Sequence, residues 1–163
     1  MTRFLDLLPC GMLLLTQGAT TAIADSDAVF DAFKSFKGRW TIQSGGKTIT
    51  TVMTYDVGSK DSIVTEQFGK ELTVIHRDGR DLQMTHFCNA GNQPRLRLKK
   101  NRSPGLFEFE MFDITNLRKS DEPHVQKIIY AIVDDKHVKL EIIWKKGDSS
   151  ESEKYALTRT GSD

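Results

Sequence analysis

From Arg39 onward the chain is patterned with period two. Phe107, Phe109 and Met111 alternate with Glu108 and Glu110, and Val138, Leu140, Ile142 and Trp144 alternate with Lys139, Glu141 and Lys145. Successive side chains on a strand point to opposite faces, so each run has one apolar face and one wet face. Segments of this type, rich in Thr, Val, Ile, Phe and Tyr, predict strands near 39–44, 47–57, 61–68, 71–78, 81–88, 95–100, 106–113, 125–134, 137–146 and 153–160. Ahead of them Val29, Phe30, Phe33 and Phe36 fall at helical spacing behind Asp25-Ser26-Asp27, which predicts one short amphipathic helix over 25–36, ended by Gly38. Gly45-Gly46, Asp78-Gly79, Asp134-Asp135 and Gly147-Asp148 are turn pairs suited to tight antiparallel reversals, so consecutive strands should neighbour one another. The longest irregular stretch, 114–124, predicts a turn or a short helix at one end of the sheet. About ten strands in a row leave long unpaired edges unless the sheet closes. The expected fold is therefore all-β: an antiparallel up-and-down barrel with one short N-terminal helix.

The 163 residues, 38% of them hydrophobic, supply a single core, read as one domain over 25–163. A formal net charge of +1 excludes a partner held by phosphate neutralisation, so no nucleic acid is expected. The one basic run, Arg95 to Arg102, alternates charge with Leu and reads as a solvated barrel face. Residues 1–24 read as a signal peptide: Arg3, then an apolar stretch from Leu5 to Leu15, then Ala22-Ile23-Ala24 as a cleavage pattern. Cys10 comes too early in that stretch for a lipoprotein cleavage box. The protein is thus expected to be exported, periplasmic or extracellular, with no membrane span once the signal is removed, and monomeric. Cys88 is then the single thiol of the mature chain, and no internal disulfide is available to it.

Candidate chemistry concentrates in 84–95. Leu82, Met84, His86 and Cys88 share one strand face, so an imidazole and a thiol follow two apolar residues toward the interior. The turn beyond contains Gly91, Asn92, Gln93, Pro94 and Arg95. It has a structural reading, with Gly91 at positive φ, Pro94 fixing the exit and Asn92 capping the turn. It also has a functional reading, in which Asn92, Gln93 and Arg95 aim donors at a polar or anionic head group. His86 and Cys88 have the residue types of a base and a nucleophile, although no protease or thioredoxin pattern surrounds them. No cofactor is required by the sequence. Zinc or haem iron would enter only if His86 and Cys88 were joined by His124 or His76, and the spacing matches no structural zinc motif. His76 and His137 lie beside turns, and His137 reads as solvent-facing. Among the strand carboxylates Glu66, Glu71, Glu108 and Glu110, alternation sends Glu108 and Glu110 outward.

Two features carry a resemblance. Gly38-Arg39-Trp40 after a helix, with Arg159 at the end of the last strand, resembles the calycin superfamily of lipocalins and fatty-acid-binding proteins. The resemblance implies a closed barrel end where the Arg159 cation stacks on Trp40. The eleven residues Thr85 to Arg95, of the form Thr-His-x-Cys-x-x-Gly-Asn-Gln-Pro-Arg, resemble a group of exported bacterial proteins of this barrel type, as do Phe107, Phe109, Thr115, Asn116, His124 and Trp144. Val125 departs from the Met that the group often carries after its His. The resemblance implies a shared site without a named reaction. The function expected is binding of a small, largely apolar ligand, in a site built from His86, Cys88, Asn92, Gln93 and Arg95 at a polar mouth with Phe107, Phe109, His124 and Trp144. Two other readings remain open: a metal-, haem- or Cys/His-dependent site, and a solid barrel serving as a protein-interaction module.

Overall fold

The structure, a computed structural model, describes residues 25–99 and 103–161. The signal segment expected over 1–24, and the end of the basic run at 100–102, lie outside the described residues. Helix α1 (Ser26–Ser35) is followed by ten strands: β1 (Gly38–Ser44), β2 (Lys47–Gly58), β3 (Ile63–Phe68), β4 (Glu71–Asp78), β5 (Asp81–Phe87), β6 (Gln93–Leu98), β7 (Leu106–Thr115), β8 (His124–Ile132), β9 (His137–Lys146) and β10 (Ser149–Gly161). Each strand pairs antiparallel with its sequence neighbours, and β10 returns to pair with β1 through Trp40↔Arg159 and Ile42↔Leu157. The result is the closed, calycin-like up-and-down barrel that the alternation called for. The stretch between β7 and β8 contains turns and bends and no helix. No helix among the described residues is long and apolar enough to cross a membrane.

Helix α1 begins as its sequence requires, with the Asp25 side chain accepting from the Asp27 N–H at 3.2 Å. Its apolar stripe of Val29, Phe30 and Phe33 is buried, and Phe36 continues the stripe beyond the last turn. The Ser26 hydroxyl donates to the Arg80 carbonyl in the β4–β5 turn, and the Arg159 guanidinium donates to the Ser35 carbonyl from the end of β10. The helix therefore lies across one end of the barrel. Phe33 fills that end, edge-on to Tyr130 at 5.0 Å between ring centroids and within 6 Å of Phe107 and Phe109. Arg159 stacks over Trp40 at 4.9 Å, the cation–π plug that the calycin resemblance implied. The Trp40 indole N–H is satisfied by the Phe36 carbonyl at 2.8 Å.

The middle of the barrel is polar at one point. Glu66 points inward from β3, and one oxygen, Oε2, accepts from both the Tyr55 and Tyr130 hydroxyls, at 2.6 and 2.8 Å. Burial pushes the Glu66 carboxyl up, against the opposing effect of hydrogen bonds from Tyr55, Tyr130 and Thr73. On the outer wall the basic run turns to solvent as expected. Arg97 pairs with Asp81, and Lys99 pairs with Glu108 and Glu110, which also hold Lys127.

Candidate functional site

The end opposite α1 carries the β1–β2, β3–β4, β5–β6, β7–β8 and β9–β10 connections. Two seams loosen there. Pairing of β5 with β6 stops at Thr85↔Arg95, although β5 continues to Phe87, and pairing of β7 with β8 stops at Glu110↔Lys127, although β7 continues to Thr115. Beyond these strand ends lie two loops, 88–92 and 116–123. Their backbone groups find partners in each other: Asn92 Nδ2 donates to the Pro123 carbonyl at 2.9 Å, and Asn116 Nδ2 donates to the Gly91 carbonyl at 2.6 Å. Gly91 has φ +86, a conformation that the turn needs and that glycine supplies at least cost.

Behind this rim the β4–β5 hairpin brings three chemically distinct groups together. Its register sets Thr73 against His86 and Leu72 against Phe87, which carries Glu71 at the start of β4 toward Cys88, just past the end of β5. Cys88 Sγ lies 3.8 Å from Glu71 Oε1, and His86 Nε2 lies 4.0 Å from the same oxygen. Among the described residues this is the one group of three or more His, Cys, Asp and Glu side chains whose ligand atoms all fall within 4.8 Å of one another. His86 is 4% exposed, and burial pushes its imidazole down to about 4, so it is neutral at neutral pH and the Glu71 contact is not an ion pair. Burial also pushes the Cys88 thiol up, with the Ala90 N–H opposing from 3.3 Å. Those directions oppose a thiolate–imidazolium pair, and with it the base-and-nucleophile arrangement.

Thr73 Oγ1 sits 3.0 Å from His86 Nδ1. In the tautomer in which Nδ1–H donates to Thr73, the lone pair is left on Nε2. Nε2 is buried and has no hydrogen-bond partner. Asn92 Oδ1, in the same signature stretch, is in the same condition.

Trp144 closes the group from across the barrel. Its ring stands edge-on to His86 with centroids 6.5 Å apart, and its N–H donates to Glu153 Oε2 at 3.1 Å. The Tyr155 hydroxyl donates to the same oxygen at 2.8 Å, and Phe68 packs edge-on to Tyr155 at 5.6 Å. Outward from Trp144 a groove of about 680 Å³ opens, lined among others by Asp121, Pro123, Lys146, Glu151 and Glu153.

No family model matches the chain, and no curated protein matches it. The site is accordingly defined by its geometry.

Of the nine residues expected to line a pocket, the structure brings His86, Cys88 and Trp144 together. His124 is buried at the start of β8 with Nδ1 against the Glu122 carbonyl, and Asn92 is buried in the rim. Four of the nine do other work. Arg95 faces the outside, where Asp113 pairs with it and Phe112 packs beneath it, because Pro94 and Leu96 take the inward positions on β6. Gln93 is spent on its own turn, donating to the Gly91 carbonyl and accepting from Thr115. Phe107 and Phe109 are inward but belong to the helix-filled end, packed on Phe33. Neither His76 nor His124 joins His86 and Cys88. Their third partner is Glu71, and Glu66 is the second carboxylate that alternation should have placed inside. The signal was present: Glu66 lies two residues from Val64 and Phe68, and Glu71 lies four from Ile75.

Proposed function

We propose that the protein is an exported, monomeric carrier of lipocalin-like type that takes a small molecule into the mouth opposite α1, and that this ligand joins an apolar body to a cationic head. The observation that carries the reading is the groove beside Trp144, walled by an aromatic ring and by Asp121, Glu151 and Glu153, against a single Lys146. The donors once expected to meet an anionic head are committed elsewhere: Arg95 to Asp113, Gln93 to Gly91, and Asn92 to Pro123. Carboxylates and aromatic faces together favour an organic ammonium over an anion, at roughly 0.5–2 kcal/mol for the cation–π part. The apolar body would add about 25 cal/mol for each Å² removed from water, before the losses of association.

An alkyltrimethylammonium probe and its neutral isostere, with carbon in place of nitrogen, test this in protein kept free of metal by a chelator. The cation should bind at least about fivefold tighter, equivalent to about 1 kcal/mol, and should quench Trp144. Trp144→Phe should abolish the quenching, since Trp40 is sealed at the other end. Equal binding of the two probes, or quenching that survives Trp144→Phe, contradicts the reading.

A second reading is favoured by an apolar groove of about 480 Å³ on the outer wall, lined by Leu106, Ile129 and Ala131 together with Lys139 and Lys154. In that reading the wall receives a protein partner and the mouth is incidental.

A further inference from the structure

We propose that Glu71, His86 and Cys88 form a binding site for a divalent transition ion of the Zn²⁺ class, with a fourth coordination position open toward Trp144. This goes beyond the carrier reading and does not depend on it.

The argument rests on donor type and placement. Tetrahedral zinc bonded at 2.0–2.3 Å holds neighbouring donor atoms roughly 3.3–3.8 Å apart. Here the sulfur–oxygen separation is 3.8 Å, the nitrogen–oxygen separation is 4.0 Å and all three donor atoms lie within 4.8 Å of one another, so closing the set on an ion needs side-chain movements of at most about an ångström. The His86 nitrogen that would bind the ion is buried, lacks any other partner and carries the free lone pair in the tautomer in which Nδ1–H donates to Thr73. An unpaired buried acceptor is costly, and a cation between it and Glu71 removes that cost.

The surroundings match what a held ligand set requires. Thr73 Oγ1 meets the other ring nitrogen of His86 at 3.0 Å, as an outer-shell group orients a metal-binding imidazole. The Ala90 N–H points at Cys88 Sγ from 3.3 Å, which favours the thiolate that binding would create, and the Asn89 N–H holds Glu71 Oε1 at 3.2 Å. The loop 88–91 thus positions two of the three donors through backbone groups. One imidazole, one thiolate and one carboxylate suit a borderline ion, whereas Ca²⁺ and Mg²⁺ prefer oxygen alone. Binding forms metal–N, metal–S and metal–O bonds and releases the Cys88 proton to solvent.

Co²⁺ titrated into the reduced, full-length chain is the test, because a cobalt–thiolate bond produces a near-ultraviolet charge-transfer band. One equivalent should develop that band together with the intense visible absorption of tetrahedral cobalt, and Zn²⁺ should displace it. Cys88→Ser, which leaves Cys10 in place, should remove the band. His86→Gln should weaken Zn²⁺ binding at least about 100-fold, and Thr73→Val, which leaves the ligands intact, about 10–100-fold. Absence of the band from the folded wild-type protein overturns the proposal, as does a band that survives Cys88→Ser. Should His86→Gln fail to fold, the wild-type and Cys88→Ser spectra decide the matter. The ammonium titration in chelator is read separately, so either proposal can fail while the other stands.

Discussion

Replacing Glu66 by Leu is expected to destabilise the protein by about 3–5 kcal/mol, the usual result of deleting one member of a buried polar network. The size follows from what is left behind. Tyr55 and Tyr130 both donate to Glu66 Oε2 in the middle of the barrel, at 0–2% exposure, and water has no route to replace the lost acceptor. Each stranded hydroxyl costs about 1–3 kcal/mol. Leu is close to Glu in volume, so cavity formation adds little. Removing the hydroxyls as well, in Glu66→Leu/Tyr55→Phe/Tyr130→Phe, should return the stability to within about 2 kcal/mol of the wild type, since an apolar replacement of a whole network is far less costly than a partial one. Urea unfolding of the wild type, the single and the triple variant measures this. A Glu66→Leu cost under about 1 kcal/mol, or a triple variant less stable than the single, would mean that the three groups do not act as a unit.

Phe33→Ala is expected to cost about 3–5 kcal/mol. Phe33 is fully buried, and its ring meets Phe36, Phe107, Phe109 and Tyr130 edge-on or tilted with centroids between 5.0 and 5.9 Å. The helix is only ten residues long and cannot persist on its own propensity. Its place across the barrel end comes from this ring, with Phe30, Phe36 and the Arg159 contact to Ser35. Truncation opens a cavity that the closed wall of strands cannot collapse to fill. Phe87, on the outer face and 44% exposed, is the control, and Phe87→Ala should stay within about 0.5 kcal/mol of the wild type. Similar losses in the two variants would show that the helix is not the plug.

The sequence was most informative where alternation alone decides. The strands, the short helix, the inward His86 and Cys88, and the outward Glu108 and Glu110 all follow from face and order along the chain, whereas the Trp40–Arg159 stack is what the calycin resemblance implies. Alternation says which face a side chain takes but not its height along the barrel. Alternation therefore groups Phe107 and Phe109 with His86, although β7 starts at the helix end and these rings pack on Phe33. Arg95 is a different case, because its own run, with Leu96 and Leu98 inward, already set it among the outer charges. Alternation with Ile75 marks Glu71 as inward, but its meeting with Cys88 needs a register. Once the turn at Asp78↔Asp81 is fixed, the β4–β5 ladder puts Thr73 opposite His86 and delivers Glu71 to Cys88. The widening of the rim was not legible at all, since it depends on ladders that stop at Thr85↔Arg95 and Glu110↔Lys127 before the strands themselves end.

Backbone amide spectra of the isotope-labelled protein, recorded while the alkyltrimethylammonium probe is added, test the mouth most directly as the place where a ligand binds. Shifts should gather at His86–Gln93, Trp144 and Glu151–Tyr155, and leave α1 and the outer residues Ile129 and Ala131 unmoved. Shifts centred on Ile129, Ala131 and Lys139, or no shifts at all, would contradict the account.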